Sequence, residues 1–313
     1  MMTARTMGRK RTGLPINGWL AIDKPLNLTS TAVVAMVRRF TGAAKVGHGG
    51  TLDPLASGVL PIALGEATKT VAYAMDGKKT YRWTVTWGEQ RSTDDAEGEV
   101  TETSAARPTR EEILAAIPQF IGDIEQVPPI YSAVKVAGKR AYDLARADQE
   151  VTLKARIVRI DRYELLECGE TSASFEVATG KGAYIRSLAR DLARALGTVG
   201  YVSALRRTAV GPFDLSRTIS LETLEEFGHS AASANLVLPV ETVLDDIPAL
   251  ALTEDEARRL QSGQSLPILR LTDRNSIPTI SSGETVRAMA EGRLVALARI
   301  ENGELRPVRV LNL

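Results

Sequence analysis

The sequence predicts a mixed α/β fold with a central mixed or antiparallel sheet, followed by a small C-terminal unit that is mostly β. Helical and strand patterns alternate through the larger, N-terminal part of the chain, whereas short strands dominate the end. With 313 residues, the chain is longer than one average domain. We therefore predict a flexible basic arm at 1–15, a main domain at 16–240 and a second domain at 245–313.

The first elements of the main domain are predicted from local signals. Residues 18–23 form a short apolar strand that ends at Lys24-Pro25. Hydroxyl residues at 29 and 30 begin a helix that runs to Phe40 and stops at Gly42. Residues 43–58 are rich in glycine and are predicted to be a loop, and 58–64 is a buried strand.

Later elements of the main domain follow the same rules. Aromatic and polar residues alternate over 81–87, which predicts a half-buried strand. Thr109 and Glu112 have the spacing of a helix capping box. The remaining predicted elements are paired strands at 156–168 and 171–179, a helix at 183–196 and a strand at 201–210.

The second domain is predicted from its short strands. Residues 254–261 form a helix, and strands are expected at 284–290, 293–300 and 305–311. The last two strands are separated by Glu301-Asn302-Gly303, and Asn-Gly is a strong hairpin signal.

Composition limits the class of protein. A single cysteine, Cys168, excludes an internal disulfide and favours a cytoplasmic location. No apolar run is long enough for a transmembrane helix, so no membrane association is expected, and the basic N-terminus lacks the apolar core of a secretory signal. The two histidines and one cysteine offer no spacing that suits a metal. Glycines 47 and 49 begin a dinucleotide motif, but position 52 is leucine, so no cofactor is predicted.

Charge is segregated along the chain. Residues 1–50 contain eight Lys or Arg and one acid, Asp23, and residues 130–217 contain fifteen basic and ten acidic residues. The whole chain has a net charge of only +1, so the other segments are acidic. Such a distribution can present a positive face to the phosphates of a nucleic acid. It is equally compatible with an ordinary solvated surface.

The segment VGHGGTLDPLASGVL at 46–60 is the strongest candidate for a site. Its glycines permit close approach of the backbone to a ligand, and Pro54 holds Asp53 in an extended conformation. Taken alone, Asp-Pro in such a segment is more often a turn. The acidic run at 94–99 could supply a second carboxylate, although it is first interpreted as a solvated turn.

Several motifs together resemble one family, that of the bacterial TruB tRNA pseudouridine synthases. They cover about residues 17–230, with a looser likeness beyond. The motifs are WLAIDKP at 19–25, GHGGTLDPLASGVL at 47–60, KTYRWTV at 79–85, GDIEQVPPIYSAVKVAGKRAY at 122–142, GKGAYIRSLARDL at 180–192 and SALRRTAVGPF at 203–213.

This resemblance implies the pseudouridine synthase fold with an RNA-binding C-terminal domain of the PUA kind. It implies isomerisation of a uridine in the tRNA T arm, without a cofactor and without an obligate protein partner. We expect removal of residues after about 245 to weaken tRNA binding more than it slows the bound reaction. Two residues depart from the family pattern. Gly49 suggests a loop that is more flexible than usual. Asn27 replaces a glycine and is a mild change, because asparagine also tolerates left-handed backbone geometry.

The resemblance also implies residue roles. Asp53 is the catalytic carboxylate, either as a nucleophile at C1′ or as a base at C2′. Arg186 is expected to hold Asp53 through two parallel hydrogen bonds, while Arg190 and Arg194 belong to a surface stripe. The other implied site residues are Tyr81, which stacks on the uracil; Tyr184, at the base or sugar; Leu205, an apolar wall; His48, on an exposed loop, which enters the space left by flipped bases; and Lys24 and Asp95, which support the site.

Two other functions remain open. An RNA-binding chaperone that remodels tRNA would use the same basic surface and C-terminal domain. Asp53 distinguishes the two, because a pure binder has no need of a carboxylate where phosphates approach. A glycosidase of free nucleosides fits the segregated charge less well.

Overall fold

A computed structural model describes residues 13–132, 134–136, 138–147, 149, 151–229, 235–268, 271 and 282–313. Residues 1–12 of the predicted N-terminal arm lie outside the described residues. None of the helices in these ranges is long and apolar enough to cross a membrane.

Helices and strands alternate along the chain, as the sequence predicts. The helices are α1 (Ser30–Thr41), α2 (Val71–Asp76), α3 (Arg110–Ala116), α4 (Ala141–Arg146), α5 (Ile185–Ala195), α6 (Leu221–Phe227) and α7 (Glu254–Gln261). The strands are β1 (Gly18–Lys24), β2 (Val46–His48), β3 (Ala56–Leu64), β4 (Lys79–Trp87), β5 (Glu89–Arg91), β6 (Val100–Thr103), β7 (Gly122–Gln126), β8 (Lys135–Val136), β9 (Lys139–Arg140), β10 (Arg156–Cys168), β11 (Ser172–Thr179), β12 (Gly200–Val210), β13 (Phe213–Asp214), β14 (Ala249–Ala251), β15 (Leu266–Pro267), β16 (Thr285–Ala290), β17 (Arg293–Glu301) and β18 (Glu304–Val310).

The central sheet is mixed and mostly antiparallel. Within the described residues it contains nine strands in the order β1-β3-β12-β4-β11-β10-β7, with β2 paired to β3 and β13 paired to β12. The β3 and β12 strands run parallel, and Leu205, Arg206 and Arg207 lie opposite Ala56, Ser57 and Gly58. This pairing brings the end of the glycine-rich segment against a strand that is far away in sequence.

Helix α5 packs on one face of the sheet. Its residues Leu188 and Leu192 are buried in the same apolar cluster as Trp83, Tyr163 and Phe175. The Trp83 and Phe175 rings stack with centroids 4.7 Å apart. Aromatic pairs of this geometry stabilise a core beyond their buried area alone, so the start of α5 is held rigidly over β4.

The predicted helix ends are confirmed. Thr29 caps α1 by accepting from the backbone N–H of Ala32, and Gly42 ends it in the left-handed conformation at φ 66°. Thr109 and Glu112 form both hydrogen bonds of the capping box. These caps satisfy backbone groups that have no partner inside the helix.

The C-terminal unit is a second sheet. Five strands pair in the order β14-β16-β17-β18-β15 within the described residues, and α7 packs against them. The turn between β17 and β18 has positive φ at both Asn302 (52°) and Gly303 (76°). This confirms the hairpin, because both central residues of the favoured turn need positive φ.

The two sheets share one apolar cluster. Trp19 and Phe213 of the main sheet are buried together with Leu294, Leu297 and Leu311 of the C-terminal unit. A boundary near 245 is therefore crossed by a continuous buried contact. Removal of everything after 245 would uncover this cluster, so substitution of surface residues is a cleaner test of the C-terminal unit than truncation.

We expect Leu297→Ala to lower the free energy of unfolding of the whole chain by about 2–5 kcal/mol, the usual cost of removing a fully buried leucine. Leu297 is 0% exposed in the shared cluster. Urea unfolding followed by tryptophan fluorescence measures the change, because Trp19 lies in the same cluster. Leu114→Ala, at a residue that is 48% exposed, is the matched control. If only the C-terminal unit loosened and Trp19 did not respond, the contact would not couple the two sheets.

Candidate active site

A cavity of about 310 Å³ opens where the glycine-rich segment, β4, β12 and the start of α5 meet. Of the eight predicted site residues, five line it: Asp53, Tyr81, Tyr184, Arg186 and Leu205. Asp95 contributes to a small neighbouring cavity that also contacts Asp53 and Arg186. Sequence-distant segments thus converge on one pocket, as the motif resemblance implies.

Asp53 and Arg186 form an ion pair at this pocket. Arg186 Nη2 lies 3.0 Å from Asp53 Oδ2, and the side chains are 6% and 37% exposed respectively. The guanidinium is therefore buried behind the carboxylate, which faces the opening. The arginine can therefore hold the carboxylate from behind while leaving it open to a substrate in the pocket.

The contacts of Arg186 differ from the predicted pair of parallel hydrogen bonds to Asp53. A single nitrogen contacts Asp53, while Nη1 donates to the Thr93 carbonyl and Nη2 to the Tyr131 carbonyl, both at 2.9 Å. Nε lies 3.6 Å from Asp95 Oδ2. The guanidinium is shared among four groups because it lies between three chain segments, around residues 53, 93–95 and 131. Because the guanidinium is planar, its contacts with the other three groups fix the position of the nitrogen that contacts Asp53.

The acidic run at 94–99 does not begin as the predicted solvated turn. Asp94 and Asp95 are each only 7% exposed. Asp94 pairs with Arg190 at 3.0 Å, and the Asp95 carboxylate accepts from the Thr93 hydroxyl at 2.5 Å. Burial raises the pKa of Asp94, although the Arg190 charge opposes the rise. Arginines from α5 explain why these acids lie inside.

The predicted arginine stripe is wrong for Arg190. Its side chain is 12% exposed and pairs with Asp94 and Asp191, and it donates to the Val127 carbonyl at 2.9 Å. Arg194 is exposed, as predicted. Arg190 therefore belongs to the support of the site, and Arg194 is the appropriate surface control on this helix.

Lys24 contacts the glycine-rich segment and is 0% exposed. Its ammonium donates to the carbonyls of Pro25 at 2.9 Å, Leu28 at 2.7 Å and Pro54 at 3.4 Å. Burial lowers the pKa of Lys24 to about 8, while the Asp53 charge partly opposes this effect. The contact with Pro54 ties β1 to the residue that follows Asp53, which is consistent with the expected supporting position.

The lowered pKa of Lys24 predicts a pH-dependent stability. The unfolded chain retains this proton up to its ordinary pKa of 10.5, whereas the folded chain releases it near pH 8. Between these values the unfolded state binds more protons, so the folded state gains stability as pH rises, by at most about 1.4 kcal/mol per pH unit. The free energy of unfolding of wild type and of Lys24→Met can be measured in urea at about pH 7.5 and about pH 10. Between these values, the stability of wild type relative to the variant should increase. A difference that is independent of pH would contradict the lowered pKa.

His48 is not on an exposed loop. It ends the short strand β2, paired with Ile62 of β3, and is half-buried. Its Nδ1 is buried and has no hydrogen-bond partner in the described part of the chain. Burial, followed by the charge of Arg207, lowers the pKa of His48. The glycine-rich composition concealed a strand, because glycine weakens every strand signal.

The two departures from the family pattern have clear structural settings. Asn27 has φ 65°, the left-handed conformation that asparagine tolerates. Gly49 is buried, and its N–H donates to the Pro61 carbonyl at 2.8 Å. A Cβ placed there would lie 3.0 Å from the Ala74 Cβ. The position therefore leaves little room for a side chain, and the expectation of a more flexible loop stays a prediction.

Two buried side chains at the site were missed. Gln126 forms two hydrogen bonds with the backbone of Tyr184: its Nε2 donates to the carbonyl at 3.1 Å, and its Oε1 accepts from the N–H at 2.8 Å. Arg207 is 1% exposed and lines the cavity. Neither has a local signal, because a glutamine at a strand end and an Arg-Arg pair in a strand are both typical of surfaces.

Two family models of pseudouridylate synthases match successive parts of the chain. Residues 38–185 match the TruB family pseudouridylate synthase N-terminal domain, and residues 186–245 match the tRNA pseudouridylate synthase B C-terminal domain. The fold and a carboxylate-containing pocket thus place the chain among RNA-modifying isomerases.

Curated relatives extend this match over almost the whole chain. A tRNA pseudouridine synthase B from Rhodospirillum rubrum is 58% identical over 98% of this chain and 100% of the relative. One from Bradyrhizobium diazoefficiens is 54% identical over 97% of this chain and 88% of the relative. The chain belongs to the TruB family of tRNA pseudouridine synthases and is an isomerase.

Solved structures agree on the fold. A chain in a crystal structure of a Cbf5-Nop10-Gar1 complex superposes with a TM-score of 0.70 at 26% identity, covering 95% of this chain and 84% of that one. A chain from an H/ACA RNP bound to a substrate RNA containing 2′-deoxyuridine gives 0.71 at 23% identity, covering 98% and 92%. The predicted pseudouridine synthase fold is confirmed.

Proposed function

We propose that this protein converts one uridine of the tRNA T arm into pseudouridine, with Asp53 as the catalytic carboxylate. The observation that supports this proposal most strongly is the Asp53–Arg186 pair at the pocket, in which the carboxylate is more exposed than its partner. Asp53 attacks C1′ of the ribose or removes the proton from C2′. Either route breaks the base–sugar bond and lets the uracil rejoin through carbon.

The remaining pocket residues suit a single flipped nucleotide. A base within a duplex-like arm must leave its stack before it can reach the Asp53 carboxylate inside the pocket, which costs a few kcal/mol. Tyr81 and Leu205 lie on neighbouring strands of the pocket wall, where a tyrosine ring and an apolar side chain can hold the two faces of uracil. Tyr184 lies at the start of α5, close to the sugar of such a nucleotide. His48 is assigned to the space that flipped bases leave.

Arg186 is proposed to aim Asp53, with support from Asp95 and Lys24. Asp95 lies 3.6 Å from Arg186 Nε and so balances part of its charge. Lys24 binds the carbonyl of Pro54 and so restrains the segment that presents Asp53. These three residues act on the reaction through the position of the carboxylate.

The C-terminal sheet is proposed to be a PUA-like RNA-binding domain, with 16–240 as the catalytic domain. Arg287, Arg293, Arg299, Arg306 and Arg309 lie on three of its adjacent strands. Basic residues at such density can contact phosphates of the tRNA outside the T arm. We place the reaction in the cytoplasm, with tRNA as the partner and no obligate protein partner.

The direct test is incubation of the purified protein with an unmodified tRNA transcript in the absence of any cofactor, followed by mapping of pseudouridine. A single new pseudouridine in the T arm is expected. An isolated T-arm stem-loop should react, whereas an isolated anticodon stem-loop should not. Modification confined to another arm would refute the T-arm assignment while leaving the family activity intact.

A further inference from the structure

Arg207 is a buried cation without a neighbouring carboxylate. It is 1% exposed, and no acid in the described part of the chain lies within ion-pair distance of it. Its guanidinium donates to the carbonyls of Val59 at 2.8 Å, Gly50 at 3.2 Å and Thr51 at 3.3 Å. Its partner across the sheet is Tyr81, whose side chain interacts electrostatically with the guanidinium. A buried charge with only neutral partners is costly to the fold, which calls for a reason beyond stability.

The other cations of the pocket are placed differently. Arg186 is balanced by Asp53 and Asp95, Lys181 pairs with Asp76 at 2.5 Å, and the guanidinium of Arg156 lies over the Tyr184 ring. Burial lowers the pKa of Lys79 to about 8, so its ammonium loses its charge on the alkaline side of neutrality. Arginine stays protonated in proteins. Arg207 is thus a buried positive charge in the pocket wall, on which the Asp53 carboxylate acts only from beyond ion-pair distance.

The isomerisation develops a negative charge on uracil, which a cation can stabilise. When the N1–C1′ bond breaks, its electron pair stays on uracil, which becomes an anion, while C1′ either bonds to Asp53 or forms a double bond to C2′ as Asp53 takes the C2′ proton. C5 of the anion then attacks C1′ and forms the new carbon–carbon bond, and Asp53 is regenerated either by leaving C1′ or by returning the proton to C2′. The proton on C5 finally leaves and N1 gains one, so the atoms and charges of uridine and pseudouridine balance.

We propose that the charge of Arg207 stabilises the uracil anion in the pocket, while its hydrogen bonds hold the Gly50–Thr51 backbone beside that base. The inference rests on the proposed site of Asp53. Preorganised positive groups aimed at a developing anion act strongly in a site that excludes water. The residue lies on β12 opposite Gly58, whose φ of 101° and lack of a side chain let the two backbones approach closely.

The test compares two substrates and two variants under single-turnover conditions. The substrates are T-arm stem-loops with uridine or 5-fluorouridine at the reacting position, and the readout is loss of the N1–C1′ bond. Fluorine withdraws electrons, so the fluorouracil anion needs less help from the protein. Arg207→Gln should slow uridine cleavage on the order of a hundredfold and slow fluorouridine cleavage clearly less. Arg207→Lys keeps a positive charge but places it at a different point of the pocket. It should therefore also slow uridine cleavage more than fluorouridine cleavage, with smaller losses for both substrates.

Equal losses for the two substrates, in whichever variant folds, would overturn the proposal and leave Arg207 as a structural residue. If Arg207→Gln does not fold, Arg207→Lys decides by the same comparison. Arg206→Lys is the matched control on the adjacent position, where the side chain pairs with Asp23 at 2.7 Å, and it should match wild type on both substrates. Asp53→Asn tests the proposed function independently of Arg207. Pseudouridine formation by that variant would refute the proposed site, whatever the Arg207 variants show.

Discussion

Asp53→Asn should abolish pseudouridine formation, with a loss on the order of a thousandfold or more in the single-turnover rate, while tRNA affinity changes only a few fold. The amide cannot act as nucleophile or base, yet it fills the same volume. Arg186 would keep its two carbonyl acceptors and Asp95, so the pocket should retain its shape. The carboxylate contributes to bond breaking rather than to ground-state binding.

The measurement combines a single-turnover time course with a filter-binding titration of the same tRNA. The variant must be purified from a host that lacks its own synthase. Because Pro54 has no backbone N–H, the new asparagine is protected from the usual deamidation route back to aspartate. A rate near that of wild type would refute the catalytic assignment of Asp53. If the inactive variant still promotes tRNA folding, a chaperone function is favoured.

Arg186→Lys should produce the second large effect, a rate loss on the order of a hundredfold with a smaller change in tRNA affinity. Lysine keeps the charge but cannot reach Thr93, Tyr131 and Asp53 at once, since its donors diverge from one atom. The buried carbonyls would lose partners and the Asp53 carboxylate would shift. A displacement of about 1 Å is enough for such a loss.

Arg194→Lys is the control for this experiment. Arg194 lies on the same helix, two turns away, and is exposed, so lysine should leave the rate nearly unchanged. Arg190→Lys should not be silent, because Arg190 pairs with the buried Asp94. Equal and mild effects at positions 186 and 194 would mean that Arg186 only attracts phosphates.

Local sequence signals predicted most helices and strands, because caps, alternation and turn residues act within a few positions. The neighbours of β12 could not be predicted this way. Its parallel contact with β3 joins segments about 150 residues apart, and no local pattern encodes that pairing. The strand β2 was missed for a different reason, since two of the residues flanking or forming it are glycines.

The site was predicted to the extent that residue types in long motifs identify it. The motifs named the five residues that line the pocket, although their roles remain predictions. The burial of Asp94 and Arg190 was predicted wrongly, and the buried Arg207 was missed. Charged side chains are normally exposed, so only the three-dimensional pairing shows that these are buried.

The apolar cluster shared by the two sheets has a consequence for synthesis on the ribosome. Trp19 and Val59 emerge early, but their partner Leu294 emerges roughly 230 residues after the end of β3. At about 5–20 residues per second, this interval is on the order of ten seconds or more. Throughout it, the part of the main sheet that packs against Leu294, Leu297 and Leu311 lacks its native cover. Completion of the last hairpin is therefore the step that buries the last exposed part of this cluster in the nascent chain.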